Sequence, residues 1–237
     1  MRTVILHYHL FKNAGTSLDR VLQQNFEGAW LEAEFPLQKG DNSDLVAKWI
    51  ADNPEAVAFS SHTAMGPIPK ISGVRVLPVM FLRDPVARIR SAYLFERKQQ
   101  SDSWGAKIAK EKDLSGYIRA RMERPHDRQV QNFQTWRLAH MRPGSAPELT
   151  RAKAALKDLA VLGLVEDFSG SMRRLAALLA PEFPDFYWIA LRANKGARPA
   201  KTEADTAIDA LLEKENADDL KLLDAARALV RSEANAQ

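Results

Sequence analysis

The sequence predicts an α/β fold with a central parallel sheet, and three observations carry that expectation. Four short apolar runs, residues 3–10, 57–60, 73–82 and 161–165, have the length and composition of buried strands. Segments of helical spacing follow them, several opened by capping residues, which is the order of a strand-helix repeat. The run 73–82 is apolar at nearly every position, as a strand covered on both faces must be. A chain of 237 residues can bury a sizeable core, so one domain, 1–237, is expected, with helices of 203–237 packed on its body.

Taken in order, the first run leads through a short turn into a helix at 18–26 that Thr16 or Ser17 would cap. Residues 27–42 carry Gly28, Pro36 and Gly40 and read as a long loop. Ser43 would cap a short helix, 44–51, which Asn53 and Pro54 end. The second strand, 57–60, runs directly into His62. In the third strand Pro78 cannot donate, so pairing there must be one-sided or bulged. Asp84 as N-cap and Pro85 at the first helical position open a helix to about Lys98. Residues 101–128 are highly charged and broken, with helical pieces such as 114–122, and 132–140 resumes a mixed apolar pattern. A break at 142–147 precedes a helix at 152–159 and the last strand, 161–165. A helix follows at 168–179, with Met172, Leu175 and Leu179 on its apolar face. Residues 181–188 are rich in aromatics, 191–202 form a basic loop, and 205–232 are helical with a break near Asn216.

The net charge of +4 conceals an asymmetry. Residues 203–237 hold nine acids and four bases, so the basic excess belongs to 1–202, with clusters at 83–98, 107–128 and 192–201. Such a body suits an anionic small molecule or an anionic polymer, or is simply a solvated basic face. Nucleic acid fits least, because the bases are not interleaved with a regular aromatic platform. There is no cysteine, hence no disulfide and no thiolate metal site. No apolar stretch reaches the length of a membrane span, and a strand starting at Thr3 leaves no room for a signal peptide, so the expected location is cytoplasmic.

Two places carry chemistry. The turn Lys12-Asn13-Ala14-Gly15-Thr16-Ser17 opens a helix whose first N–H groups, positive dipole end and nearby Lys12 make an anion site. An ordinary helix cap is the alternative. Arg83 sits directly at the end of an apolar strand, where a charge needs a reason. Ser91 lies almost two turns beyond Asp84, about 10 Å along nearly the same side of the helix. Arg83 and Ser91 could therefore hold opposite flanks of one anion, the guanidinium fork taking phosphate oxygens in pairs. Taken singly, Arg83 could instead pair with a carboxylate, and Ser91 could merely permit close packing. His62 stands at a strand end, where parallel sheets place their ligands.

These residues together resemble the sulfotransferases that use 3'-phosphoadenosine 5'-phosphosulfate (PAPS). The branch is the one that includes heparan sulfate 2-O-sulfotransferases and bacterial carbohydrate sulfotransferases. Its first motif, roughly His-x-Pro-Lys-Thr-Gly-Gly-Thr-Ser, is matched at His9, Lys12, Gly15, Thr16 and Ser17, with Phe11, Asn13 and Ala14 replacing Pro, Thr and the first Gly. Its second, Arg-Asp-Pro-x-x-Arg-x-x-Ser-x-Tyr, is met in full by Arg83, Asp84, Pro85, Arg88, Ser91 and Tyr93. More weakly, 59–66 resembles the segment that carries a histidine base, which points to His62. Leu191-Arg192-Ala193-Asn194-Lys195 looks like the late loop that closes over the nucleotide, and 216–226 is similar to the final helix.

The resemblance implies a three-layer α/β sandwich related to the P-loop nucleotide kinases. It implies PAPS as donor and adenosine 3',5'-bisphosphate as product, held by Lys12, Asn13, Ala14, Gly15, Thr16, Ser17, Arg83, Ser91, Asn194 and Lys195, with no metal. The acceptor is then a hydroxyl or amine of a small molecule or glycan, and the charged segment 107–128 suggests an anionic glycan. Lys12 would stabilise charge on the leaving phosphate oxygen, and His62, with an unperturbed pKa of about 6.5, would take the acceptor proton. Glu96 is the reserve base. His9 adjoins the loop, His7 reads as a core residue, and His126 and His140 could touch an acceptor. Two other readings compete: a small-molecule kinase, against which Leu10 and Thr16 stand where a Walker loop needs Gly and Lys, and a non-catalytic binder of polyanions.

Overall fold

The computed structural model describes residues 1–36, 40–189 and 203–235. Five strands, β1 (Arg2–Tyr8), β2 (Trp30–Glu32), β3 (Ala58–Ser61), β4 (Val74–Leu82) and β5 (Val161–Leu164), form one sheet in the order β2-β3-β1-β4-β5. All neighbours are parallel, and Ile5 of β1 stands opposite Ala58 on one side and Leu77 on the other. Central β1 and β4 are the near-continuous apolar strands that a doubly covered sheet requires.

Alternation along the strands sends side chains to opposite faces. Val4, Leu6, Phe59, Met80 and Leu162 face a layer made by α2 (Ser43–Asp52), α6 (Phe133–Ala139), α7 (Glu148–Ala155) and α10 (Ala217–Asn235). Ile5, Ala58, Val79 and Phe81 face α1 (Gly15–Asn25) and α8 (Phe168–Leu179). Leu18 and Leu22 of α1, and Met172 and Leu175 of α8, are fully buried there. Each such side chain contributes about 1.5–3 kcal/mol. A separate apolar cluster around Ile89, Tyr117 and Leu212 joins α3 (Pro85–Lys98), α4 (Trp104–Glu111), α5 (Leu114–Glu123) and α9 (Glu203–Glu215). No helix among the described residues is long and apolar enough to cross a membrane.

The structure departs from the sequence reading in four places. The long loop at 27–42 contains β2, a strand of three residues whose register is set by β3 rather than by its own pattern. Helix α1 begins at Gly15, capped by Ala14 in the left-handed region (φ 61°) with no side-chain cap, so Thr16 and Ser17 lie inside the first turn. Ser43 is likewise the first residue of α2, and its N–H and hydroxyl both bond Asp41. The helix expected at 152–159 is α7, four residues earlier, followed by a 3-10 turn (Leu156–Asp158). Pro78 lies in the middle of β4 and is accommodated because its neighbour β5 pairs only from Val79 onward. Its carbonyl accepts from Ala160 (2.9 Å), so the edge lacking an N–H faces β5 just before that strand begins. Asp84 caps α3 as expected, accepting from Ala87 at 2.8 Å.

The chain break near Asn216 is a buried polar joint in which two helix starts cap each other. The Asp219 carboxylate accepts from the N–H groups of Gln134 (3.1 Å) and Thr135 (2.7 Å) at the start of α6. In return the Asn132 side chain accepts from the N–H groups of Asp218 and Asp219 (3.1 Å each), and Asn216 accepts from Asn132 N–H (2.9 Å). Asp219 also faces buried Arg88, whose guanidinium burial pushes down to about 10 while the carboxylate draws it back up. Asp219→Ala is therefore expected to cost about 3–5 kcal/mol in urea unfolding, because it strands two amides and a buried cation at once; Asp219→Asn should recover part of the loss.

Candidate active site

In a parallel sheet all carboxyl ends lie on one side, and here every strand ends in a residue of interest. The chain leaves β1 toward β2 and β3 but leaves β4 toward β5. The crevice between the ends of β1 and β4 is thus the topological switch point.

After β1 the turn places Lys12 (φ 65°) and Ala14 (φ 61°) in the left-handed region, a cost of about 1–2 kcal/mol each. Asn13 holds that shape. Its side-chain amide is buried and donates to Phe81 O (2.7 Å) and to Gln134 Oε1 (2.8 Å). At the end of β4 the same Gln134 Oε1 accepts Arg83 N–H (2.9 Å), and Gln134 Nε2 donates to Arg83 O (2.8 Å). The Arg83 guanidinium donates to Lys12 O (2.9 Å). One carboxamide therefore ties the two predicted anion sites together.

Between them lies a cleft of about 290 Å³. Lys12, Ala14, Gly15, Thr16 and Ser17 line one wall, Arg83 and Ser91 another, and His9, His62, Phe11 and Phe95 complete it with Val165. Helix geometry leaves the Gly15 and Thr16 amides without an intrahelical acceptor, whereas Ser17 N–H is taken by Ala14 O (3.0 Å). No carboxylate lines the cleft among the described residues. The Lys12 ammonium sits 4.3 Å from the Phe95 ring centroid, and burial, then the charge of Arg83, lowers its pKa. Two cations and two unengaged amides facing a space without acids form a site for an anion.

Beside the cleft three imidazoles stack. The ring centroids are 5.1 Å apart from His7 to His9 and 3.8 Å from His9 to His62. Asp19 accepts from Nδ1 of both His7 and His9 (2.7 Å each) and from the Ser60 hydroxyl (2.6 Å). Burial alone would raise the Asp19 pKa, but these hydrogen bonds outweigh it and hold the carboxyl well below its usual range. The His9 ring lies over the start of α1, where a Cβ on Gly15 would come within 2.0 Å of it, so only glycine fits. His62 is half-exposed, and its Nδ1 stands 2.8 Å from Glu34 Oε1 and 3.6 Å from Glu32 Oε1. Buried Arg137 donates to His62 O and Ala64 O (2.8 Å each), fixing the backbone on either side of Thr63. Burial pushes the Arg137 guanidinium down to about 10. The ligand-capable atoms of His7, His9 and Asp19 lie within 4.8 Å of one another, and so do those of Glu32, Glu34 and His62. The second set is an acidic group not expected from the residue pattern, because β2 was not foreseen.

Of the predicted site residues, Lys12, Ala14, Gly15, Thr16, Ser17, His62, Arg83 and Ser91 meet at one cleft. Asn13 does not: its side chain turns inward and serves the loop, not a ligand. Asn194 and Lys195 lie outside the described residues. Glu96 is excluded as a base by its place in the α3–α4–α5 core, where it is buried against Arg121 (2.7 Å) and hydrogen-bonded by Tyr117. His140 Nδ1 pairs with Trp136 O (2.8 Å), and His126 is an exposed residue beyond α5; neither lines the cleft. Arg88 and Tyr93 of the second motif face the core, bonding Gln129 O and Lys112 O. Sequence reasoning missed Asp19, Glu34, Gln134 and Arg137. Asp19 alone left a signal, an acid in the 15–18–19–22 stripe that α1 buries.

Because the fold keeps Asp19 ionised, unfolding takes up a proton once the pH is below about 3.9, the value of a free aspartate. Its stabilisation is present above that pH and lost as the pH falls toward the folded value. Urea midpoints between pH 7 and pH 3 should therefore show Asp19→Asn less stable at neutral pH and less sensitive to acid than the native chain.

A search of family models finds none that matches. The chain is 39% identical over 201 residues to an uncharacterized protein of Archaeoglobus fulgidus, an alignment covering 81% of this chain and 79% of that protein. Identity of that extent shows common descent, and the chain belongs to the same family as this archaeal protein.

Proposed function

We propose that the protein is a sulfotransferase that moves the sulfonyl group of PAPS to a hydroxyl or amine, on a frame like that of the P-loop nucleotide kinases. The observation that carries this reading is that residues of two stretches almost seventy residues apart in sequence, each resembling a motif of the same family, line one cleft between β1 and β4. The donor set fits the group: amides, Lys12 and Ser17 on one wall, Arg83 and Ser91 on the other, suit a molecule anionic at both ends.

In this reading Lys12 and the Gly15 and Thr16 amides grip the phosphosulfate end and stabilise the negative charge that grows on the leaving phosphate oxygen. Arg83 and Ser91 hold the 3'-phosphate and so distinguish the donor from ordinary adenine nucleotides. His62 takes the acceptor proton. Phe11 and Phe95, in edge contact at 5.6 Å, give the cleft an apolar side. A carbohydrate face, with its C–H groups, suits such a wall. The basic segment 107–128 does not line the cleft, so the suggestion of an anionic glycan loses its support.

Calorimetry tests the donor. Adenosine 3',5'-bisphosphate should bind without magnesium, and Arg83→Ala should weaken it about 10- to 100-fold while leaving 5'-AMP almost unaffected; preference for ATP with magnesium would sink the reading in favour of a kinase. For the base, His62→Ala should bind the bisphosphate normally yet lose about 10²–10⁴-fold in sulfate transfer to a panel of sugar acceptors. A His62→Ala protein of undiminished activity removes His62 from that role.

A further inference from the structure

We propose that Glu34 is the positioning residue of the His62 base, fixing which ring nitrogen faces the cleft and supporting the positive charge the ring acquires; this rests on the reading of His62 as the base. Glu34 follows β2, and its place beside His62 is set by the parallel pairing of β2 with β3, which continues past the strand through Ala33 N–H to Ser60 O (3.3 Å).

Glu34 holds the turn at three points. Its Oε1 accepts His62 N–H (3.1 Å) and lies 2.8 Å from His62 Nδ1, and its Oε2 accepts the Thr63 hydroxyl (2.6 Å). That hydroxyl in turn accepts Phe35 N–H (2.6 Å), closing a ring between the two strand ends. Burial works against ionisation of Glu34, but the bonds from Thr63 and His62 prevail and keep it a carboxylate at neutral pH. A carboxylate only accepts, so Nδ1 must carry the proton and Nε2 keeps its lone pair for a substrate proton. The His62 ring stacks on His9 with centroids 3.8 Å apart, which holds its plane, and the Glu34 contact at Nδ1 selects its flip state. The other charges near the ring are Glu32, 3.6 Å from Nδ1, His9 below it, Arg137 on its carbonyl, and Lys12 and Arg83 on the cleft wall. Glu32 makes neither the backbone nor the hydroxyl bond, and this separates the two acids.

When the acceptor oxygen attacks, its proton passes to Nε2, the new sulfur–oxygen bond forms, the sulfur–oxygen bond to the phosphate breaks, and the bonding pair leaves on the phosphate. His62 is then an imidazolium facing Glu34, the charge pair the carboxylate stabilises. Replacing Glu34 should lower kcat rather than weaken donor binding.

The experiment is nitrogen-15 NMR of the His62 ring with parallel kinetics. In the native protein with the ring neutral, the proton should sit on Nδ1. In Glu34→Ala it should move to Nε2, whereas Glu34→Gln keeps an acceptor for Nδ1 and removes only the charge. The Glu34→Gln variant should lose about 10- to 100-fold in kcat with KM little changed, since the imidazolium formed on His62 loses its facing carboxylate. Glu32→Gln serves as control and should leave the tautomer in place. An unchanged tautomer in Glu34→Ala together with an undiminished kcat in Glu34→Gln overturns the proposal. Absence of adenosine 3',5'-bisphosphate binding to the native protein overturns the sulfotransferase reading instead, and the tautomer still decides whether Glu34 positions His62.

Discussion

The candidate site depends on one buried carboxamide. Gln134 is 1% exposed and uses all of its hydrogen-bonding capacity: Oε1 accepts from Asn13 and from Arg83 N–H, while Nε2 donates to Arg83 O and lies 3.4 Å from Asp219. An apolar residue of the same size would leave the Arg83 backbone and one Asn13 donor without partners, each at a cost of about 1–3 kcal/mol. The spacing between the two walls of the cleft is thus a hydrogen-bond length, set by a residue that touches no ligand. Gln134 is held in turn by the capping of α6 from Asp219, so the C-terminal helix α10 takes part in shaping a site at the far end of the sequence.

The electrostatic division of the site follows the strand order. The ends of β1 and β4 present Lys12, two amides and Arg83 and no acid to the cleft among the described residues, whereas the ends of β2 and β3 present Glu32, Glu34 and His62. Between these halves stands the imidazole stack, anchored on Asp19. In the proposed reaction an anion bound at the first half and a proton acceptor held in the second half meet at His62, as transfer of an anionic group to a protic acceptor requires. Buried polar contacts of this kind rigidify a site only when every member is satisfied. Asp19, with His7, His9 and Ser60 as partners, meets that condition.

Much of this was legible in the residues. The apolar runs at β1, β3, β4 and β5, the Asp84 cap with Pro85 behind it, and the break at Asn216 follow from periodicity and capping, which act over a few residues. Strand β2 was not legible, since three residues flanked by Gly28 and Pro36 carry no pattern, and its pairing comes from β3. The cap of α1 was misplaced because the turn uses left-handed Lys12 and Ala14, a conformation local preference disfavours and Asn13 enforces from a distance.

By itself the sequence determined the four apolar strands, most of the helices between them and the two stretches, Lys12–Ser17 and Arg83–Ser91, whose residue types suit an anion. Tertiary structure alone decided that these stretches share a cleft, that Asn13 turns away from it, that Glu96 is spent on Arg121, and that Glu34 stands at His62. The physical reason is range. Backbone periodicity and capping are written in neighbouring residues, whereas the partner of a buried amide or a half-buried imidazole is chosen by the register of strands and the meeting of helix ends far apart along the chain.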